Sequence, residues 1–282
     1  MKNLETLEAG LYLVAVPIGN MRDITLRALD VLRRVDVVFC EDTRVTGKIL
    51  KAYDIFVPLR VYNDHSDEVV RNNIVSAVED GQCIALVSDA GTPMICDPGY
   101  KLLRACHDAE VSVTSLPGAN AVLPALQLSG MPSDAFSFIG FLPSKMKARQ
   151  DFLRSWQDVH TTLIAYETAP RLIKALEDIQ TVLGARDVAV VRELTKLYEE
   201  ARRGSVSELL AYYTENGAPK GEIVLVIDAP QPETFSDEMV KTMLVDALEM
   251  LSTKDAARHV ASKTGRKVSM LYNWAIALKD QV

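Results

Sequence analysis

Glycines, prolines and carboxylates gather at the ends of short apolar runs in this chain. Residues 88–93 (SDAGTP), closed by Asp97, Pro98 and Gly99, follow the apolar run 83–87, and residues 17–20 (PIGN) follow the run 11–16. Residues 117–120 (PGAN) follow 111–116, and residues 219–222 (PKGE) lead into 222–227. Loops of this kind bring backbone N–H and C=O groups to a polar ligand, and such groups recognise adenine edges, ribose and amino-acid ends without many charged side chains. Glu41, Asp42, Asp89, Glu167 and Glu193 stand at loop positions, where a carboxylate can orient a ligand or take a proton. The residues alone do not single one out.

The elements that must position these loops read as alternating strands and helices. Apolar, β-branched runs at 11–16, 35–40, 59–62, 83–87 and 111–116 alternate with helical patterns, which predicts a βα repeat on a parallel sheet. In the first of these helices Ala28, Val31, Leu32 and Val35 form a stripe, with Asp23 as the expected N-cap. Asp97 before Pro98 reads as the cap of the helix carrying Leu102 and Leu103. In an open parallel sheet the loops at the carboxyl ends of strands form the ligand crevice, which puts Asp89, Gly91 and Thr92 at a site.

Strands at 135–140, 161–167, 188–194, 196–204 and 222–227 continue the pattern. Two of them are joined by a short link at Thr195, which predicts an antiparallel pair and a mixed sheet. The polar, proline-bearing stretch 228–238 reads as a linker. A helix at 239–251 follows, then two shorter ones, with Ser252 as the cap of the first and Gly265 in the turn between them, a spacing like a helix-turn-helix. The expected organisation is α/β, with a parallel-sheet domain over 1–117, a mixed-sheet α/β domain over 118–229, and a linker with a small helical module over 230–282.

With 282 residues and 48% hydrophobic composition the chain can bury a large core. The longest apolar runs are strand-sized, well short of the roughly 20 residues of a membrane span. The opening MKNLETLEAG has no basic segment leading into an apolar one, so a cytoplasmic protein is expected. Cys40, Cys83, Cys96 and Cys106 show no CxxC pairing and read as buried, reduced thiols; together with His65, His107, His160 and His259 they show no metal-ligand spacing, so no metal is expected. Cys106 and His107 are helix neighbours whose side chains diverge, which speaks against a catalytic pair. The GxGxxG, GxxxxGK[ST] and GxSxG signatures are missing, which argues against a Rossmann dehydrogenase, a P-loop NTPase and a common serine hydrolase.

A net charge of −7 speaks against coating nucleic acid through a global positive field. From Ser252 onward, however, Lys254, Arg258, Lys263, Arg266, Lys267 and Lys279 stand against Asp255 and Asp280, a local net of +4.

PIGN, EDTR (residues 41–44), SDAGTP, DPG, PGAN, GFLPSK (140–145), YETAPR (166–171) and RELTKLYEE (192–200) together resemble the tetrapyrrole methylase family. The likeness runs from about Leu11 to Ile227, and the terminal helices resemble the module of one branch. At 117–120 the chain's PGAN departs from the family's PGP or PGPS form, and the departure bears on the role of Asn120. The resemblance implies two α/β domains with S-adenosylmethionine in the cleft between them, and a homodimer. Its branch implies 2′-O-methylation of a cytidine ribose in the decoding region of 16S ribosomal RNA, with the RNA or the small subunit as partner. Methylation of a tetrapyrrole or another small molecule, and a non-catalytic ribosome-binding module, are the competing readings.

Carried onto this chain, the resemblance puts Pro17, Gly19 and Asn20 in the first cleft loop. Asp89, Ala90, Gly91 and Thr92 face the methionine part, and Gly118, Ala119 and Asn120 form the loop opening the second domain. Tyr166, Glu167, Pro219, Lys220 and Gly221 lie on the second-domain side. Asp89 is expected to position the cofactor, with Glu41 or Asp42 orienting the acceptor. The other reading of Asp42 and Arg44 is a salt bridge or a cap. Arg44, Lys145, Lys147, Arg149, Arg192, Lys196, Arg202 and Arg203, with Lys263, Arg266 and Lys267 of the tail, are the candidates for RNA phosphates. The alternative for Lys145, Lys147 and Arg149 is a solvated helix face.

Overall fold

The computed structural model describes residues 7–63, 66–230 and 235–279, so His65 and positions 231–234 of the expected linker lie outside the described residues. Two compact units are present, one ending at Pro230 and one made of the residues that follow.

The first unit opens with β1 (Gly10–Val14), α1 (Leu26–Leu32), β2 (Val37–Cys40), α2 (Thr43–Ala52), β3 (Leu59–Val61), α3 (Glu68–Glu79), β4 (Cys83–Leu86), α4 (Tyr100–Asp108) and β5 (Val113–Leu116). The five strands form a parallel sheet in the order β3-β2-β4-β1-β5. Strand alternation gives it two apolar faces. Tyr12, Val14, Val38 and Ala85 meet Leu32 of α1 and Leu50 of α2, whereas Leu11, Leu13, Phe39 and Ile84 meet Ile74 of α3 and Leu102 of α4. The adjacent strands β1 and β4 lead into connections that cross the sheet in opposite directions, the arrangement that opens a crevice beyond their carboxyl ends.

A second sheet is built from α5 (Val122–Ser129), β6 (Phe136–Phe141), α6 (Met146–Arg154), β7 (Thr162–Thr168), α7 (Leu172–Leu183), β8 (Asp187–Arg192), β9 (Glu200–Ser205), α8 (Val206–Asn216) and β10 (Glu222–Ile227). Its order is β6-β7-β10-β8-β9, with β6 and β7 parallel and the other pairs antiparallel. Leu163, Val190 and Leu225 pack beneath Leu153 of α6, Leu176 of α7 and Leu209 of α8, while Ile164, Val191 and Val224 pack against Val122 and Leu126 of α5. The second unit holds α9 (Asp237–Leu248), α10 (Thr253–Thr264) and α11 (Val268–Lys279) around Val240, Leu244, Val260 and Leu271. Ser252 caps α10 by accepting from the Asp255 N–H, and Gly265, in the left-handed conformation at φ 65°, ends it.

Several local expectations need correction. The cap of α1 is Thr25, whose hydroxyl accepts from the Ala28 N–H; Asp23 instead closes a 3-10 turn capped by Asn20. Asp97 does not cap α4, which starts after Gly99 at φ 136°, because Met94, Cys96 and Gly99 all take positive φ and carry the loop past Asp97 before the helix begins. The link between the antiparallel strands β8 and β9 is the whole turn 193–199 rather than Thr195 alone. Cys40, Cys83 and Cys106 are buried, but Cys96 in that same loop is exposed. No helix among the described residues is long and apolar enough to cross a membrane.

Candidate active site

A cavity of about 360 Å³ lies beyond the carboxyl ends of β1, β4 and β5, facing the ends of β6, β7 and β8 and the start of β10. Three loops of the first sheet make one side of it. After β1 the chain pairs with the loop after β4, the Val16 and Gly91 N–H groups each donating to the other's carbonyl at 2.9 Å. The Thr92 hydroxyl donates to the Ala119 carbonyl at 3.0 Å, joining the loop after β4 to the loop after β5. Gly91 sits at φ 76°, and a Cβ there would lie 3.2 Å from Ile18 Cγ2, so only glycine lets these loops close together without strain.

The second sheet supplies the facing wall. Its Val191, Leu194, Ile223 and Val224, with Ile18 from the loop after β1, make much of the lining apolar, and Tyr166, Glu167 and Glu222, with Asp97 from the loop after β4, bring polar groups to it. A short turn locks the two halves of this unit: the Asn20 N–H donates to Thr195 Oγ1 at 3.0 Å, and a Cβ on Gly19 would lie only 2.4 Å from Lys196 Cγ. Glu193 and Thr195 hold left-handed φ of 50° and 64° there. Lys196 Nζ reaches Glu193 Oε1 at 3.0 Å and Glu222 Oε2 at 2.9 Å. The turn's strain is thus held in place by charge-assisted bonds.

Of the residues expected at the site, Ala90, Gly91, Thr92, Asn120, Tyr166, Glu167 and Gly221 line the cavity. Pro17, Gly19, Asn20, Asp89, Gly118, Ala119, Pro219 and Lys220 belong to the same loops but are not on its wall. Asp89 Oδ1 accepts from the Asp42 N–H at 3.1 Å, bracing the loop after β2. Asp42 is the N-cap of α2: its carboxylate accepts from the Arg44 N–H at 2.8 Å and is forked by the Arg44 guanidinium. Arg44 holds its pKa down to about 2. These bonds are those of both the salt bridge and the cap. Glu41 is half-buried beside it. Glu167 is buried and accepts from the Thr168 N–H at 2.7 Å and from Arg171 Nη2 at 3.2 Å; burial nonetheless raises its pKa against those partners. Burial also pushes the Tyr166 hydroxyl up to about 12.

Sequence reading missed Asp97 as a site residue. It lines the cavity, where burial raises its carboxyl pKa, the Ser88 hydrogen bond opposes the rise and the charge of Asp89 adds to it. The signal was the DPG closing the loop, which reads equally well as a cap. Phe141 was missed too, because one aromatic at the end of a strand looks like core.

Among the basic residues, Arg149 must be corrected. Its side chain is 3% exposed, pairs with Asp178 at 2.5 Å and donates to the Pro143, Ser144 and Lys174 carbonyls, so its hydrogen-bonding fork is already occupied inside the fold. Arg192 and Arg202 are paired with Glu200, and Arg202 also stacks on Tyr212. Arg266 is bonded to Asp237 and the Phe235 carbonyl beside Trp274. Arg44, Lys145, Lys147, Arg203, Lys263 and Lys267 are exposed.

Residues 10–210 match the family of Tetrapyrrole (Corrin/Porphyrin) Methylases, and 233–279 match the RsmI C-terminal HTH domain. A protein of Erythrobacter litoralis named ribosomal RNA small subunit methyltransferase I is 51% identical over 275 residues, covering 98% of this chain and 97% of its own. The protein of that name from Escherichia coli O157:H7 is 42% identical, with 98% and 97% covered. Among solved structures, uroporphyrin-III-C-methyltransferase from Thermus thermophilus superposes with a TM-score of 0.55 at 19% identity, over 78% of this chain and 94% of that one. The cobalamin biosynthetic enzyme cobalt precorrin-4 methyltransferase does so at 0.54 and 18%, over 77% and 93%. At these identities the likeness is one of fold.

Proposed function

Since the chain belongs to the tetrapyrrole methylase family, we propose that it methylates the ribose 2′-hydroxyl of a cytidine in the decoding region of 16S ribosomal RNA, using S-adenosylmethionine. The observation that carries RNA as acceptor is that relatives named for small-subunit ribosomal RNA match the helical unit as well as the methylase part, over nearly their whole length.

The cavity suits the cofactor. An apolar wall of Ile18, Val191, Leu194, Ile223 and Val224 fits a purine ring, the Asp97 carboxyl fits a cation, and Gly91 leaves a cradle that a Cβ would narrow. When bound, S-adenosylmethionine supplies an electrophilic methyl group on a sulfonium. Gly91, Thr92, Asn120, Tyr166 and Gly221 are the residues we assign to hold it, with Asp89, Gly19 and Asn20 fixing the loops behind them. Positioning of this kind supplies much of the acceleration in a displacement reaction.

A ribose hydroxyl is a poor nucleophile until its proton leaves. Asp42 is neutralised by Arg44 and Glu167 by Arg171. Asp97 faces the cavity, and among the described residues no ion pair neutralises it. We assign to Asp97 the acceptance of the hydroxyl proton, and to Glu41 the orientation of the acceptor.

Arg44, Lys145 and Lys147, with Lys263 and Lys267 of the helical unit, are proposed to meet RNA phosphates. We take 1–117 and 118–229 as two domains and the rest as the RNA-binding module, in a cytoplasmic homodimer, for which light scattering should give twice the 31.1 kDa of the chain. The deciding experiment is transfer of labelled methyl from S-adenosylmethionine to small ribosomal subunits lacking the modification, with the labelled nucleotide mapped. Label on a ribose of the decoding region supports the assignment; cofactor binding with no label in RNA overturns it.

A further inference from the structure

The end of β6 breaks the alternation of its own sheet. Phe138 is opposite Ile164 and Phe141 opposite Tyr166, so three steps along β6 match two along β7, and one extra residue is bulged out. Gly140, at φ 69°, provides the left-handed backbone that such a bulge needs. Ile139 and Leu142 both pack into the core beneath α6 and α7, although three positions apart in a regular strand would put them on opposite faces. The consequence falls on Phe141. A regular strand would turn its ring to the core side with Ile139; the bulge turns it to the cavity side, edge-on to Tyr166 at 5.3 Å between ring centroids. There it stays 52% exposed.

This placement is heavily braced. Arg171 donates to the Leu142 carbonyl and pairs with buried Glu167, and Arg149 donates to the Pro143 and Ser144 carbonyls from its buried pair with Asp178. Three successive carbonyls after Phe141 are therefore held by guanidinium groups. A fold that needed only a core phenylalanine would not require a bulge and two arginines to keep a ring half in solvent at the mouth of a cavity. Just beyond it, Lys145 and Lys147 are exposed, giving an aromatic face next to positive charge. That combination takes a nucleotide whose base has left its stack, the ring offering its face and the lysines meeting flanking phosphates.

We infer that Phe141 is a positioning residue for the acceptor, the platform on which the target pyrimidine stacks while its ribose is methylated. The inference rests on the reading of an RNA nucleotide as acceptor. It assigns the ring to the acceptor and not to the cofactor.

The test compares wild type with Phe141→Ala, Phe141→Leu and Phe141→Trp on small subunits lacking the modification, at saturating S-adenosylmethionine, with cofactor affinity measured by calorimetry. Stacking strengths predict that Phe141→Ala and Phe141→Leu raise KM for the subunit by about tenfold or more. Phe141→Trp should stay within about threefold of wild type, and all three variants should bind S-adenosylmethionine as wild type does. Phe141→Leu performing as well as Phe141→Trp would reduce the ring to an apolar filler and overturn the inference. So would a loss of cofactor affinity matching the loss of activity, or wild-type KM in Phe141→Ala. A wild-type enzyme that leaves the subunit unlabelled would instead sink the RNA reading itself.

Discussion

The Asn20 N–H and the Thr195 hydroxyl meet at 3.0 Å across 175 positions of sequence. Asn20 ends the loop after β1 in the first sheet, and Thr195 sits in the turn between β8 and β9 of the second. Gly19 next to it runs so close to Lys196 that a single methyl group would collide. This contact fixes the separation of the walls on either side of the cavity.

Gly19→Ala should therefore spread the loops and weaken S-adenosylmethionine binding by about tenfold, since a displacement of about 1 Å is costly in a preorganised site. The Gly19→Ala/Lys196→Ala double variant should recover part of the loss, because the nearest obstructing atom belongs to the lysine side chain. Calorimetric titration of wild type, Gly19→Ala, Lys196→Ala and the double variant measures the coupling. Equal losses with and without Lys196 would mean that the steric contact does not govern the site.

Asp42 and Asp97 differ in their surroundings, and their amide variants should differ accordingly. Asparagine caps a helix about as well as aspartate, so Asp42→Asn should keep methyl transfer within about twofold of wild type, while Asp42→Ala lowers the melting temperature. Asp97→Asn should lower kcat by roughly a hundredfold, the order expected for losing a proton acceptor, with cofactor affinity changed far less. Loss of activity in Asp42→Asn would return the acceptor-orienting role to that residue.

The same two carboxylates give opposite pH dependence of stability. Asp42 is held below its unfolded value, so its contribution is present above the ordinary carboxylate pKa and is lost as pH falls toward about 2. Asp97 is raised by burial, so the folded state holds its proton more tightly than the unfolded chain does. Its contribution declines as pH rises through the ordinary carboxylate range to its higher folded pKa. Asp97→Asn should accordingly raise the melting temperature at neutral pH and lose that gain in acid. Melting curves from pH 3 to 8 for wild type and the variant measure the difference.

The strand-to-loop rhythm, the parallel first sheet and the antiparallel pair in the second were legible because apolar β-branched runs and glycine-proline loops are local signals. Ser252 and Gly265 were legible as cap and turn for the same reason. Asp97 was misread because cap geometry depends on the three positive φ values around it, which Met94 and Cys96 do not advertise. Arg149 was misread because Lys145, Lys147 and Arg149 look alike in sequence. Only the packing of α6 on α7 turns one of them inward to meet Asp178. Phe141 was invisible for a related reason: a one-residue bulge inverts the side-chain alternation from which its orientation would be read.

That inward turn of Arg149 gives the last prediction. Its pair with Asp178 is buried, with side-chain exposures of 3% and 6%, so removing one partner leaves the other charge uncompensated. Arg149→Ala or Asp178→Ala should each cost about 3–5 kcal/mol of stability in denaturant unfolding. Charge removal at exposed Lys263 and Lys267 should leave stability nearly unchanged, but should flatten the salt dependence of subunit binding by roughly one unit of slope for each phosphate no longer neutralised. Arg266→Ala belongs between these cases, because its bonds to Asp237 and the Phe235 carbonyl hold the start of α9 to the turn before α11. It should lower the melting temperature of the helical unit before any effect on RNA is read. Binding isotherms at several salt concentrations, alongside urea melts of each variant, separate the three classes. A stable Arg149→Ala protein with a reduced salt slope would restore that residue to the RNA surface.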